Sequence, residues 1–417
     1  MKTNTRKREL FNRKSVNTVG VLLSVTMLQI APAMADVRDQ AKRVYDRIAG
    51  VPPSEEVLND MVNQLGANPS ENQFIQAAID FPMENKNFYN ATLKNWITPW
   101  TNEEQTVFAP LNDFTATAIG IIRDDYNFRT VLYDDVIYVA RDVEGYTPYS
   151  NSNNTHYEEL EQSGADLNQV LERRAQSNVT SLPSNATAGV MTTRAAAKSF
   201  FVAGTNRAMF RFTLLNFLCN DLEQFKDTTR PTDRIRQDVT RSPGGDSRIY
   251  LNSCVGCHSG MDPLAQAFAY YEWTGEEGTD AGELVYTPDT VQAKYHINSG
   301  NFKWGYSTPN DNWVNYWRKG PNATWVGWSD LAGGGYETDE DGPYAFGSGA
   351  KSMGQELANS RLFAQCQSRK VFKTVCLREP GDDQDHSVID DMITDFDSNN
   401  GSLKRLFGKA AYYCRGN

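Results

Sequence analysis

Apolar residues recur at helical spacing along most of the chain. Val37, Ala41, Val44, Tyr45 and Ile48 fall three or four apart and stop before Gly50, which predicts a helix closed by a glycine cap. Pro52-Pro53-Ser54 opens a second helix carrying Val57, Leu58, Met61, Val62 and Leu65, ended by Gly66, and Ser70 with Gln73 has capping-box spacing ahead of Phe74, Ile75 and Ile79. An aromatic stretch, "NFYNATLKNWITPWTN", leads into "FTATAIGIIRDDYNFRTVLYDDVIYVARD". Residues 145–187 then turn polar, rich in Ser, Asn and Thr, and predict a long surface excursion. Helical pattern returns with "TTRAAAKSFFVAGTNRAMFRFTLLNFLCNDLEQF" and continues through "MDPLAQAFAYYEW", an amphipathic run. From about 275 to 350 the chain is Gly, Asp, Trp and Pro with little periodicity, and from Ser352 it is helical again. The pattern predicts a mainly α, multi-helical protein with long irregular loops and no internal repeat.

The segment before this pattern reads as an address. Lys2, Arg6, Lys7, Arg8, Arg13 and Lys14 precede the apolar "VGVLLSVTMLQI" and the small-residue site Ala33-Met34-Ala35, so residues 1–35 are expected to be a signal peptide cleaved near Asp36. The apolar run is short for a membrane span, and an uncleaved anchor is the competing reading. No cysteine precedes Cys219, which excludes a lipid-modified cysteine at the cleavage site. The expected location is therefore a bacterial periplasm or the exterior, where disulfides persist, with no stable membrane insertion.

Charge sharpens the choice of partners. The whole chain carries −11, but the leader holds six Lys or Arg against one Glu, leaving about −16 on the remainder. That balance disfavours nucleic acid and suits a partner with a basic docking surface.

One motif carries chemistry. In "LNSCVGCHSGMDPL", Cys254, Cys257 and His258 stand in the order C-x-x-C-H, in a chain with six cysteines and four histidines. Two thiols one helical turn apart can bond the vinyl carbons of a porphyrin, and the adjacent imidazole then meets iron as the proximal ligand. At this composition the pentapeptide arises by chance in roughly one such chain in a thousand. A redox dithiol would need a βαβ context and a zinc site a second Cys or His pair, and the sequence supplies neither pattern. One covalent haem c is the expected cofactor.

The order of segments resembles the planctomycete-type cytochrome c family. "RIAGVPPSEEV" is similar to that family's early helix-turn-helix; "GVMTTRAAAKSFFVAGTNR" and "CVGCHSGMDPLAQAF" are similar to its central haem segment; and "GSGAKSMGQELANSRLFAQCQSRKVFKTVCLR" is similar to its C-terminal helix. The resemblance implies an embedded haem c core over 188–350, preceded by an N-terminal helical region over 36–187 and completed by a helical hairpin over 351–417.

The other cysteines are constrained by helix geometry. Cys366 and Cys376 lie ten positions apart on one predicted helix, about 15 Å along its axis, too far to bridge. If helices near 353–377, 386–398 and 402–414 run up, down and up, the first and third end on one side. Cys376 then faces Cys414, and Cys219 is left for Cys366. Free buried thiols are the alternative.

The far side of the iron decides what such a haem does. Met353, expected in a Gly-rich loop just before the last long helix, is the candidate distal ligand; His296 in "KYHINSGNF" is the rival, and an open site the third option. Met261 sits too near His258 in sequence to cross the haem plane. Trp304, Trp313, Trp317, Trp325 and Trp328 crowd one segment, where the spacing of Trp313 and Trp317 predicts a shared helix face. Such rings would roof a haem, form a platform for a substrate, or simply pack a core. Glu337, Asp339, Glu340 and Asp341 form an acidic loop, either solvated or calcium-holding, without the full twelve-residue calcium pattern. The reading is an electron-transfer module. The competing classes are a haem peroxidase or oxygenase acting on an organic or polymeric substrate, and a binding module with structural haem.

Overall fold

The N-terminal helices begin and end where local capping chemistry places them. Val37–Ala49 starts at Asp36, whose side chain accepts the Asp39 amide, and stops at Gly50, which takes the left-handed φ of +72°. Glu55–Leu65 is capped by Ser54 and closed by Gly66. Glu71–Asp80 carries both halves of the Ser70–Gln73 capping box. Their apolar faces, including Val44, Ile48, Met61, Leu65 and Phe74, are buried in one core. The computed structural model describes residues 36–141, 145–201, 206–235, 247–276, 279–295, 306–328, 337–338 and 345–416. The expected signal peptide, residues 1–35, lies outside them.

The helix Asp113–Arg123 is buried from Asp113 through Ile122, with the helices Lys94–Ile97, Leu167–Val170, Arg194–Phe200 and Leu403–Tyr413 packed against it. Its Asp113 carboxylate accepts the amides of Arg194 and Ala195 at 2.6 and 3.0 Å and so caps the helix Arg194–Phe200. Burial pushes the Asp113 carboxyl up in pKa, against the pull of these backbone hydrogen bonds.

Three sequence expectations are corrected here. Residues 145–187 keep most of their side chains at the surface but are not an irregular excursion: they hold the helix Thr155–Gln162 and the strand Leu171–Arg174, which pairs antiparallel with Ile137–Ala140. Tyr157, Leu160, Leu167, Leu171 and Leu182 of this stretch are buried, and Tyr146, Tyr149 and Val170 pack half-buried against the same core. The buried His156 joins strand to loop, accepting the Ala140 amide at Nε2 and donating from Nδ1 to the Thr147 carbonyl. The run after the C-x-x-C-H motif stays helical only to Phe268; Tyr271–Trp273 is a strand paired with Leu284–Tyr286, in which Tyr271 and Trp273, two apart, are both buried and Glu272 between them is partly exposed. Trp313 and Trp317 share no helix face. Trp313 lies in the strand Asn312–Asn315, paired with Ala345–Ser348, and Trp317 in the 3₁₀ turn Tyr316–Arg318.

The tail matches the predicted hairpin with one added break. Gly349–Ala358 ends at Asn359, and Ser360 caps a new helix, Arg361–Cys376, by accepting the Phe363 amide. Asp383–Ser398 and Leu403–Tyr413 complete three mutually packed helices. Cys376 is bonded to Cys414 and Cys219 to Cys366, with Cα–Cα distances of 5.5 and 5.3 Å. Leu403–Tyr413 returns to Glu71–Asp80, where Gly408 fits against Ile75. One continuous hydrophobic cluster, from Ala41 to Ala411, therefore runs through all three predicted segments. Among the described residues no helix is long and apolar enough to cross a membrane.

Candidate functional site

The C-x-x-C-H motif sits on the helix Val255–Ala265, entered through a π-helical turn, Tyr250–Cys254. Cys254, Cys257, His258, Met261 and Asp262 recur three or four apart and so share one face. Cys254 and Cys257 are free thiols and half-buried, whereas the other four cysteines are bonded in pairs. Burial pushes the Cys257 thiol up in pKa, and Glu223 adds to the effect; its Sγ lies 3.5 Å from the Leu222 carbonyl.

The back of this helix is braced. The Asp227 amide donates to the Gly256 carbonyl at 2.9 Å, and the Ser259 hydroxyl to the Asp227 carbonyl at 3.0 Å. Gly260 lets the Trp317 indole press onto the helix: a Cβ built at 260 would lie 2.0 Å from the ring. Phe225 stacks on the same indole, with ring centroids 4.7 Å apart. The front is different. Ile249 and Leu251, just before the motif, are 48% and 57% exposed, and Cys254, Cys257 and His258 are half-buried.

His258 is held from below. Its Nδ1 lies 3.1 Å from both oxygens of Asp262, one helical turn on, whose side chain has no exposed surface. The Arg207 guanidinium reaches the same carboxylate through Nε at 3.1 Å and Nη2 at 3.3 Å. Arg207 opens the helix Arg207–Thr213, and its position is set by the buried Asn206, whose amide donates to the carbonyls of Phe268 and Tyr271 at 3.0 and 3.2 Å. With the carboxylate at Nδ1, the proton sits on Nδ1 and Nε2 is the nitrogen suited to a metal.

These residues fit a covalently held haem. Two unbonded thiols one turn apart, an oriented imidazole beside them and exposed aliphatic side chains leading up to them are the donor and cover set that such a group needs. A helical turn, not a strand, precedes the cysteines, unlike the context of a thioredoxin-type dithiol. Among the described residues no group of three or more His, Cys, Asp or Glu is placed to hold a metal ion, so Cys254 and Cys257 have no second pair for zinc there.

Met353 lies within the helix Gly349–Ala358, fully buried in the continuous core, rather than in an open loop. Its helix packs against Gln266–Phe268, which directly follows the C-x-x-C-H helix. His296, Trp304, Asp339, Glu340 and Asp341 lie outside the described residues; Glu337 is in a short strand paired with Ala345–Ser348. Trp313, Trp317 and Trp328 are core residues, each at most 1% exposed, and Trp325 is partly exposed. Sequence reading missed Arg207 as a member of the site and Asp262 as the partner of His258. The available signal was an acidic residue four positions after the histidine, which a helix places under the imidazole.

Comparison with protein-family models, curated proteins and solved structures finds no match to this chain.

Proposed function

We propose that this protein is an exported single-haem c-type cytochrome working as an electron-transfer module. The observation that carries the reading is the pairing pattern of the cysteines. Four are bonded in two pairs, and the two left as thiols directly precede the histidine on one helix face. Haem, when bound, supplies a one-electron iron couple. Cys254 and Cys257 would hold it through thioethers, His258 would ligate iron through Nε2, and Ile249 and Leu251 would shield the porphyrin edge from water. Met353 is the proposed distal ligand, with His296 its rival. The resemblance to planctomycete-type cytochrome c proteins points the same way. Export is supported by the basic, apolar and small-residue order of residues 1–35 and by two disulfides, which suit an oxidising compartment such as a bacterial periplasm. A charge of about −16 after that leader suits a redox partner with a basic docking surface.

The test is covalent retention. Full-length protein expressed with a haem-attachment system should keep one haem after denaturation, and Cys254→Ala with Cys257→Ala should abolish this. An unmodified intact mass for the parent chain overturns the proposal. A second reading, a haem-dependent oxidoreductase, is favoured by the carboxylate on His258, a proximal arrangement that raises ligand basicity. Rapid carbon monoxide binding by the reduced protein would select it, because that requires an open iron.

A further inference from the structure

We infer that Asp262, clamped by Arg207, is a positioning residue that fixes the tautomer of His258 and tunes its donor strength toward iron; the inference rests on the haem reading above. The i,i+4 spacing on Val255–Ala265 puts the carboxylate under the imidazole, and both oxygens stand 3.1 Å from Nδ1. Because the Asp262 side chain is wholly buried, solvent screens its charge little. A carboxylate receiving Nδ1–H draws that proton toward itself and leaves more electron density on Nε2. Greater density there stabilises oxidised iron over reduced iron.

Arg207 acts in the opposite direction. Its two contacts hold the plane of the carboxylate and offset part of its charge, so the pair sets an intermediate donor strength for the histidine. Asn206 makes the clamp stiff, because the same residue that starts the Arg207 helix is bonded to the chain leaving the motif helix. An ion pair that merely joined two helices would not require the imidazole nitrogen to sit on the carboxylate.

The opposed roles give a test with opposite signs. In haem-loaded full-length protein, Asp262→Asn keeps a hydrogen-bond acceptor of the same shape and removes the charge. The ratio of oxidised to reduced iron at a given applied potential should fall about tenfold, an upward shift of about 59 mV for a one-electron couple. Arg207→Gln takes the guanidinium charge away from the carboxylate and should shift the potential downward. Far-UV circular dichroism checks that both variants are folded. An unchanged potential in folded Asp262→Asn, or shifts of one sign in both variants, overturns the inference.

The positioning half is read without haem. Nitrogen-15 NMR of the unmodified chain should show His258 as the Nδ1–H tautomer, and a predominant Nε2–H tautomer overturns it. Absence of covalent haem in the parent chain would instead sink the attachment reading and, with it, the tuning of iron, while the tautomer measurement still decides the positioning.

Discussion

Arg318 and Glu356 meet inside the core as a two-pronged ion pair, Nε to Oε1 at 2.7 Å and Nη2 to Oε2 at 2.8 Å, with side chains 4% and 0% exposed. Asn315 donates to the same carboxylate at 2.6 Å, and the Trp328 indole to the Glu356 carbonyl at 3.3 Å. The pair thus fastens the Trp-rich segment to the helix that carries Met353. Glu356→Gln should destabilise the fold by about 3–5 kcal/mol, because the guanidinium keeps its charge and loses its counter-ion. Replacing both partners, Glu356→Leu with Arg318→Met, should cost less than either single change. Urea denaturation of the three variants measures this, and equal losses in single and double variants would contradict it.

Lys370 supplies a pH dependence with a definite sign. Its ammonium lies 3.9 Å from the Trp100 ring centroid and 2.5 Å from the Asn216 carbonyl, and desolvation there pushes its pKa down to about 7. Between about pH 7 and about 10.4 the unfolded chain therefore holds a proton that the folded chain has released, so this group makes stability rise with pH across that window. Lys370→Met should remove the slope and stabilise the protein most below pH 7. The difference in urea midpoint between variant and parent, followed from pH 6 upward, should shrink steadily (~pH 10 for near closure); a constant difference would refute the assignment.

The disulfides should contribute unequally. Cys219–Cys366 closes a separation of 147 residues and Cys376–Cys414 one of 38, which chain entropy converts to about 5 and about 4 kcal/mol respectively. Paired alanine substitutions at each bridge should follow that order in chemical denaturation. Peptide mapping without reductant checks the connectivity, and a Cys366–Cys376 bridge would be incompatible with the intact Arg361–Cys376 helix.

Met353→Leu separates packing from ligation. The swap nearly conserves volume at a fully buried site, so stability should change by less than about 1.5 kcal/mol. If the thioether ligates iron, as proposed, the same variant loses the near-infrared sulfur-to-iron band of the oxidised protein and its potential falls. A band and potential unchanged in the leucine variant would assign Met353 to the core alone.

Several features were legible in the sequence because their causes are local. The helices at 37–49, 55–65 and 71–80 are bounded by Asp36, Ser54, Ser70, Gly50 and Gly66, each acting on amides or carbonyls within four residues. The disulfide partners were reachable too, since the rise of a helix separates Cys366 from Cys376 and the hairpin order brings Cys376 to Cys414. The break at Ser360 was harder to see, because apolar residues continue at helical spacing across it, while the Ser360 hydroxyl caps the new helix and Arg129 takes the Ala358 carbonyl from far along the chain.

By itself, then, the sequence determined the helical class, the caps, the exclusion of a Cys366–Cys376 bridge and the candidate haem motif, all of which follow from spacing along the chain. Only the tertiary structure decided that 145–187 folds onto the core, that Trp313 and Trp317 are buried in a strand and a turn, and that Arg207 closes on Asp262 beneath His258. Each of these depends on desolvation by residues tens of positions away. Burial of a few large side chains can override a polar composition, and a charge becomes a strong tuning group only once the fold has removed its water.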